Sequence, residues 1–344
     1  MKKRVLGMIL AAALAGAMLN GCGSTSSAPA PAAQKEETAA QEEVQTEAQQ
    51  TEETGEAQPE ADAPADAAPA AEAPAEAAPV ADAPADAAPV ADAEAVELQV
   101  FIAASLNTSM QEVAAKYNEE HPEVKIVFNA DSSGKLLTQI EEGYACDVFF
   151  SAAQKQMNKL EEDGLIVEGT RANVVNNQVV VIKRKDTESA VTGLSDIGKA
   201  SSIALADGSV PVGRYTRTAL MNLGILPEVE DASVYTTAEV SDALGGVEIS
   251  EQGNVSQVLT AVAEGSCEVG TTYYSDTYGY EDQIDILERV SYDLTGNVIY
   301  PVCQVVNDEA TEAQKAAAAD FVSFITSDTA KAIFDSYYFD TNVQ

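Results

Sequence analysis

Four short polar or glycine-containing turns each join an apolar, strand-like run to a stretch with helical spacing. They read Ala104-Ser105-Leu106-Asn107, Asp131-Ser132-Ser133-Gly134, Val210-Pro211-Val212-Gly213 and Gly253-Asn254-Val255-Ser256. The first N–H groups of a helix lack partners within the helix and carry partial positive charge, so such turns bind anions without lysine or arginine. Ser105 and Ser133 add hydroxyl donors. Ordinary N-capping explains each turn alone, but four of them at strand ends predict a shared anion-binding cleft.

Catalytic chemistry is not indicated by the sequence. The motifs GxSxG, HExxH, Walker A and GxGxxG are missing, and the one histidine, His121, lies in a predicted helix-to-strand turn. Triad and zinc chemistry need more ionisable partners than this. We therefore expect a protein that is not an enzyme and that uses no cofactor, with His121 in a structural role.

The cysteines follow no metal or redox pattern. Cys146, Cys267 and Cys303 are an odd number with no CxxC spacing, and each has apolar neighbours. We expect at least one buried free thiol, while a single disulfide among the three stays open for an exported protein.

Alternating strand-like and helix-like segments must position the four turns. Strands are predicted at 98–104, 124–128, 148–150, 178–182, 202–206, 269–273 and 298–306, and helices at 107–120, 133–142, 154–163, 212–223, 255–264, 312–325 and 329–337. The initial βαβαβα alternation implies a parallel sheet with helices on both faces.

Two α/β lobes with a ligand cleft between them are the arrangement that these segments predict. The first lobe comprises 97–177 and 298–344, and the second comprises 178–297. The chain is expected to cross between the lobes at 178–183 and again near Asn297. Residues 225–253 are acidic and weakly patterned, and no element is assigned to them.

The N-terminus has the features of an exported lipoprotein. A basic start is followed by an apolar run at 5–19 that is too short for a permanent membrane-spanning helix, which predicts a signal peptide at 1–21. The run ends Leu19-Asn20-Gly21-Cys22, which resembles a bacterial lipobox, so Cys22 is the expected site of lipid attachment and anchors the protein to the outer face of the cell membrane. The alternative is an ordinary signal peptide with an incidental cysteine.

The composition of residues 22–96 predicts a disordered tether. The segment has no aromatic residue, and three alanine- and proline-rich units of related sequence follow one another from Ala61, Ala71 and Ala81. Stacked units would bury almost no apolar surface, and their prolines block helix propagation. Such a tether gives a lipid-anchored domain reach. A wall-binding or adhesive segment is the alternative.

The charge balance excludes nucleic acid as a partner and constrains how an anion is bound. The chain has 56 acidic and 19 basic residues, a formal net charge of -37. Such a surface repels nucleic acid. An anion held by neutral dipoles in a closed cleft avoids the desolvation cost of pairing formal charges, and solvent screens the surface charge within roughly 10 Å.

Several segments together resemble the periplasmic molybdate-binding proteins of ABC transporters. They are the run from VFIAASLNTS through SSGKLLTQIEE to DVFFSA, then SVPVGRYTRTAL, NVSQVLTAVAEGSCEVGTTYYSDT and IYPVCQVV. The likeness covers the chain from about Leu98 to the end. It implies a two-lobed α/β periplasmic-binding-protein fold of type II and capture of a tetrahedral oxyanion, molybdate or tungstate, for an importer with a permease and an ATPase. It also implies a monomer that needs no cofactor.

The resemblance also assigns ligand-binding residues by motif. Ser105, Ser133 and Tyr273 would donate hydroxyl hydrogen bonds to the oxyanion, and Val212 and Val255 would donate backbone N–H. The molybdenum or tungsten atom is thus held through its oxygens and not as a bare cation. Two features depart from the family, namely the length of 225–253 and the charged Asp131 beside the second turn, whose carboxylate is expected to point away from the site.

Three other functions are compatible with parts of this sequence. A receptor for sulfate or another small solute has the same architecture, and donor placement that the sequence does not reveal separates it from a molybdate receptor. A surface interaction lipoprotein with the same fold is a further alternative, which the two serine donors disfavour. An enzyme is disfavoured by the missing motifs.

Overall fold

A computed structural model of the protein describes residues 95–343. The predicted signal peptide, Cys22 and nearly all of the predicted tether lie outside these residues. The first strand begins at Val96, so the tether prediction reached one residue too far. Within 95–343, no helix combines the length and apolar character that crossing a membrane requires.

The described residues form two five-stranded sheets. In chain order the strands are β1 Val96–Ala103, β2 Val124–Asp131, β3 Val148–Phe150, β4 Ala172–Asn177, β5 Val179–Arg184, β6 Ser202–Ala206, β7 Glu248–Gln252, β8 Val269–Tyr273, β9 Ile284–Arg289 and β10 Val298–Gln304. The helices are α1 Asn107–Tyr117, α2 Ser133–Glu141, α3 Gln154–Glu162, α4 Pro211–Asn222, α5 Thr237–Ala243, α6 Val255–Ala263, α7 Tyr292–Thr295, α8 Glu312–Ile325 and α9 Asp328–Ser336.

The first sheet has the order β2-β1-β3-β10-β4. β1 pairs in parallel with β2 and β3, as the βαβαβα alternation predicts. β10 runs antiparallel to both β3 and β4, so the sheet is mixed and the expectation of a parallel sheet was incomplete. The antiparallel pair arises because β10 returns from the second sheet and enters the first sheet from the opposite direction.

The second sheet has the order β7-β6-β8-β5-β9 and is also mixed. β6 is parallel to β7 and β8, whereas β5 is antiparallel to β8 and β9. The first crossing between sheets is Gln178 alone, since β4 ends at Asn177 and β5 begins at Val179. The predicted crossing at 178–183 was therefore too long, because those residues form a strand of the second sheet.

Helix starts in this fold are set by short polar side chains. The hydroxyl of Thr311 accepts from the N–H of Gln314, and the Gln314 side chain accepts in return from the N–H of Thr311. This reciprocal capping box satisfies two N–H groups at the start of α8. The helix then buries Phe321, Val322 and Ile325 against the first sheet, which fixes its orientation.

Residues 225–253 contain structure that the sequence pattern did not predict. They form a short turn at Ala232–Val234, the helix α5 and the strand β7. β7 is an edge strand whose residues are exposed or only half-buried, so it has no apolar alternation to detect. The segment ends at the turn that begins α6.

All three cysteines in the described part of the chain are buried and unpaired. Burial raises the pKa of the Cys303 thiol to about 12. The prediction of a buried free thiol thus holds for Cys146, Cys267 and Cys303 alike, and these thiols stay protonated at neutral pH.

Candidate functional site

The four predicted turns lie at the carboxyl ends of parallel strands. β1 leads into a short 3-10 turn, Ala104–Leu106, and then α1, while β2 leads into α2. In the second sheet, β6 leads into α4 and β7 into α6. Because these ends meet at corresponding edges of two facing lobes, the helix starts converge.

A small cavity of about 10 Å³ lies where the turns converge. Its lining comprises Ala103, Ala104, Ser105, Ser132, Ser133, Ala152, Val210, Pro211, Val212, Asn254, Val255 and Tyr273. All five residues that the resemblance assigns to the ligand are therefore brought together around one space. That space is far smaller than the 300–1,000 Å³ typical of sites for drug-sized ligands and close to what one water molecule needs.

Ser133 is the first residue of α2 and is completely buried. Its Oγ accepts a hydrogen bond from the N–H of Ala152 at 2.9 Å. Because a hydroxyl has one proton, this acceptance leaves the Ser133 proton free to donate into the cavity. The neighbouring Ser132 caps the helix, with its Oγ 3.4 Å from the N–H of Lys135.

Val212 and Val255 are the second residue of α4 and the first residue of α6. At these positions the backbone N–H has no partner within the helix, so each can donate to a ligand. Pro211 precedes Val212 and has no N–H of its own, which makes Val212 the first donor of α4. Both valine side chains are buried in the core, so an apolar side chain is compatible with backbone donation.

Tyr273, the last residue of β8, supplies the remaining predicted donor. Its side chain is 1% exposed, and among residues 95–343 its hydroxyl has no hydrogen-bond partner. Burial raises the pKa of this phenol well above its ordinary value, so it stays a donor at neutral pH. An unpaired buried hydroxyl costs about 1–3 kcal/mol, which a ligand oxygen in the cavity would offset.

The carboxylate of Asp131 is hydrogen-bonded within the protein. Its carboxylate accepts from the N–H of Ser132 at 2.7 Å and from the Asn254 side-chain amide at 3.1 Å. Asp131 does not contribute to the cavity wall. The carboxylate therefore joins the starts of α2 and α6, which belong to different sheets.

A second polar contact between the lobes involves the segment that had no predicted structure. Lys155 of α3 donates to Asp231 at 2.6 Å and to Ser233 at 3.0 Å. Partial burial acts to raise the pKa of Asp231, but these partners outweigh it and lower the pKa to about 2. The pair is exposed, so its net contribution to stability is small. It positions 225–253 against the first lobe at the rim of the cleft.

Backbone packing at the rim is also close. A Cβ placed on Gly134, the second residue of α2, would lie 2.7 Å from the carbonyl oxygen of Ser209 in the other lobe. Only glycine allows this approach, which explains the glycine of the SSGKL motif. The two lobes therefore meet tightly over the cavity.

Two polar side chains near the cavity were not predicted from the sequence. Tyr300 of β10 lies behind Ser105, with its Oη 2.8 Å from Ser105 Oγ. Asp276 accepts from the Thr272 hydroxyl at 2.6 Å and from the N–H of Tyr273 at 2.9 Å. Burial raises the pKa of Asp276 to about 6. Neither residue stands in one of the four predicted turns, and neither is among the residues that the resemblance assigns.

His121 lies apart from the cavity. Its ring stacks on Tyr117 with the ring centres 4.3 Å apart, and its nitrogens are 3.6 Å from Glu123 and 3.3 Å from Asp320. These contacts are those of a structural residue at the end of α1. Residues 95–343 also contain no cluster of three or more histidine, cysteine, aspartate or glutamate side chains arranged to hold a metal ion.

Comparison with known proteins identifies the architecture. Residues 98–340 match the family described as bacterial extracellular solute-binding protein. The putative ABC transporter substrate-binding lipoprotein YvgL of Bacillus subtilis is 31% identical over 71% of this chain and 86% of its own length. Molybdate-binding protein ModA of Haemophilus influenzae is 29% identical over 71% of this chain and 90% of its own length.

A solved structure agrees with these relatives. The substrate-binding domain of a putative molybdenum ABC transporter from Clostridium difficile is 31% identical and superimposes with a TM-score of 0.53 over 72% of this chain and all of its own. The two-lobed periplasmic-binding-protein fold predicted from the sequence is thereby confirmed, and so is the prediction of a transport receptor that is not an enzyme and uses no cofactor. The chain belongs to the family of bacterial extracellular solute-binding proteins.

Proposed function

We propose that this protein captures a tetrahedral oxyanion, molybdate or tungstate, and delivers it to the permease of an ABC importer. The observation that carries the proposal is the convergence of Ser105, Ser133, Val212, Val255 and Tyr273 on one small cavity. Each of the five offers a neutral donor, and the Tyr273 hydroxyl there has no partner within the described structure. A site of this kind suits an anion whose oxygens accept hydrogen bonds.

The names of the relatives support the choice of anion. ModA of Haemophilus influenzae is a molybdate-binding protein, and the solved domain from Clostridium difficile belongs to a putative molybdenum transporter. The neutral donors around the cavity agree with such a ligand. As a dianion with four acceptor oxygens, molybdate would engage several helix starts and hydroxyls at once.

A panel of oxyanions tests the proposal directly. The purified protein would be titrated calorimetrically with molybdate, tungstate, sulfate and hydrogen phosphate, and its melting temperature measured with each. A ligand at 100 times its Kd stabilises the native state by about 2.7 kcal/mol, so molybdate and tungstate should raise the melting temperature clearly. A response to sulfate alone would identify a sulfate receptor. A response only to an organic solute would refute the oxyanion proposal.

The same proposal includes membrane anchoring through Cys22 and reach through the tether at 22–96. The lipobox-like sequence supports it, as does the description of the Bacillus subtilis relative as a lipoprotein. Cys22→Ser should move the protein from the membrane fraction to the soluble fraction and leave oxyanion affinity unchanged. A Cys22→Ser protein that stayed on the membrane would contradict this part.

The division into lobes, 97–177 with 298–344 against 178–297, belongs to the proposal as well. The two sheets provide its basis, since one contains the strands from 96–177 and 298–304 and the other those from 179–289. Ligand binding would then draw the lobes together about the crossings at Gln178 and near Asn297. The side chain of Gln178 joins the two crossings by donating to the carbonyl oxygen of Val290 at 2.9 Å.

A further inference from the structure

Behind Ser105 lies a buried chain of hydrogen bonds. Its other members, Tyr300 and Asn177, lie outside the four predicted turns. Ser105 Oγ is 2.8 Å from the hydroxyl of Tyr300, and Tyr300 is completely buried in the first sheet. Geometry alone allows either hydroxyl to be the donor. The direction matters because it decides whether Ser105 offers a proton or a lone pair to the cavity.

Asn177 determines the direction of the chain. Its Oδ1 accepts from the backbone N–H of Gln178 at 2.9 Å and from that of Ser275 at 3.4 Å. Backbone N–H groups only donate, so the amide orientation is fixed, and Nδ2 must face the other way. Nδ2 lies 3.1 Å from Tyr300 Oη and 2.8 Å from Ser275 Oγ.

The Tyr300 hydroxyl therefore accepts from Asn177, and its own proton needs an acceptor. Among residues 95–343 its other partner is Ser105 Oγ. A buried hydroxyl proton without an acceptor is costly, so Tyr300 donates to Ser105. Burial also raises the pKa of Tyr300 well above its ordinary value, which keeps that proton in place.

Ser105 is then left with one proton to donate, and it lines the cavity. Ser133 is arranged in the same way, because the N–H of Ala152 occupies a lone pair of its Oγ. Both serines are thus made into donors by a neighbour behind them. An anion oxygen that accepts is matched by such donors. A ligand O–H can use only the second lone pair of an Oγ, and that serine then loses the anion oxygen as acceptor for its own proton.

We infer that Tyr300 and Asn177 are positioning residues that determine specificity, because they fix Ser105 as a donor and so favour unprotonated over protonated oxyanions. The inference rests on the proposed function and goes beyond it by naming residues that do not contact the ligand. It assigns the discrimination between molybdate and hydrogen phosphate to a hydrogen-bond chain on β4 and β10, outside the helix-start turns.

The test is the affinity ratio for unprotonated and protonated oxyanions in Asn177→Asp. The full protein and the variant would be titrated with molybdate, tungstate, sulfate, hydrogen phosphate and hydrogen arsenate at one pH. A carboxylate at position 177 accepts from Tyr300, so Tyr300 can accept from Ser105, and Ser105 then offers its lone pairs to the cavity. Molybdate affinity should fall by about tenfold, and the affinity for hydrogen phosphate relative to molybdate should rise at least tenfold.

Tyr300→Phe is a second variant. It removes the donor behind Ser105 without supplying an acceptor for the Ser105 proton, so it should weaken molybdate binding and change the ratio less than Asn177→Asp does. Tyr117→Phe is its matched control. Tyr117 is also buried in the first lobe, and its hydroxyl donates to Asp320 at 2.9 Å, away from the cavity. The control should lose comparable stability and keep the parental affinities.

The outcomes separate this inference from the proposed function. An unchanged ratio in a folded Asn177→Asp protein, or an equal loss of molybdate affinity in Tyr300→Phe and Tyr117→Phe, overturns the inference. If the parent binds sulfate and not molybdate, the proposed function fails, and the same ratio measured with sulfate still tests the chain. If the parent prefers hydrogen phosphate, the chain direction is wrong although an oxyanion receptor remains. If no tetrahedral oxyanion binds, both fail.

Discussion

At the scale of single residues, donor capacity depends on which hydrogen bonds the protein has already used. The N–H of Ala152 occupies one lone pair of the Ser133 hydroxyl, and Tyr273 has a buried hydroxyl for which residues 95–343 provide no partner. Both groups are thereby prepared to donate before any ligand arrives. Preorganised donors lose little entropy on binding, so neutral groups can hold an anion tightly.

Removal of single hydroxyls tests the assigned donors. Ser105→Ala and Ser133→Ala should each weaken oxyanion binding, because a hydrogen bond to a charged acceptor contributes roughly 1.5–3 kcal/mol, which corresponds to about ten- to a hundredfold in Kd. Titration calorimetry measures the loss, and Tyr273→Phe should behave similarly. His121→Ala serves as the control and should bind like the parent. Parental affinity in both serine variants would place the ligand elsewhere.

Asp276, whose carboxyl is buried near the site, makes the stability of the protein depend on pH. Burial raises the pKa of its carboxyl to about 6 from an ordinary 3.8. The folded state then holds a proton that the unfolded state has released, so the free energy of unfolding falls as pH rises from about 4 to 6. The loss in the free energy of unfolding is about 1–3 kcal/mol. Asp276 also borders a wider cavity, whose solvent reduces the effect, so the upper value is a limit.

Asp276→Asn should remove this dependence. The amide oxygen can still accept from Thr272 and from the N–H of Tyr273, while no charge is buried at neutral pH. Urea unfolding at pH 5 and pH 8 should therefore show a smaller difference in the variant than in the parent, with the variant the more stable of the two at pH 8. A parental pH difference in the variant would mean that other carboxyls cause it.

At the scale of secondary structure, local patterns predicted some elements well and others poorly. β3 and α8 have the predicted bounds, because their apolar spacing is strong and their ends carry clear turn or capping signals. β4 was missed because its buried face includes Asn176 and Asn177, which a hydropathy pattern assigns to loops. β7 was missed because an edge strand needs little apolar surface.

The same contrast between strong and weak local patterns applies to the candidate site. The five assigned residues could be proposed from the sequence because each lies in a short contiguous motif. Tyr300 was not, because its contacts with Ser105 and Asn177 join positions 195 and 123 residues apart. No local pattern encodes such pairs, so they depend on the strand order of the first sheet.

Because α2 approaches the other lobe closely, a substitution at Gly134 should affect closure of the cleft. In Gly134→Ala the new Cβ would lie 2.7 Å from the carbonyl oxygen of Ser209. The lobes can relieve this contact by separating, so the ligand-free protein should keep its melting temperature. Binding must then overcome an overpacking cost of roughly 1–3 kcal/mol, which weakens affinity by roughly five- to a hundredfold.

Gly213→Ala is the matched comparison for Gly134→Ala. A Cβ at Gly213 would lie 2.1 Å from the carbonyl oxygen of Asp207 and 2.4 Å from that of Ala206, both in its own lobe. Separation of the lobes cannot relieve these contacts, so this variant should lose stability without ligand. If Gly134→Ala lost as much stability as Gly213→Ala, the contact with Ser209 would not report on closure.

At the scale of the whole molecule, an acidic protein is proposed to capture an anion. The net charge of -37 repels a dianion at long range, while the short-range donors of the cavity are neutral. The two effects act at different stages of binding. Long-range repulsion slows the encounter, and the local hydrogen bonds determine how long the complex lasts.

Salt should therefore accelerate capture. The Debye length falls from about 30 Å at 0.01 M to about 8 Å at 0.15 M ionic strength, so added sodium chloride screens the repulsion. The association rate constant for molybdate should rise by about two- to tenfold over this range, while the dissociation rate constant changes little. Stopped-flow measurements can follow tyrosine fluorescence, since the chain has 12 tyrosines and no tryptophan, and one tyrosine lines the cavity. A cleft that bound its ligand through lysine or arginine would respond in the opposite way, because salt would weaken the attraction. An association rate that fell with salt would thus contradict the neutral-donor site and direct attention to the basic residues around it.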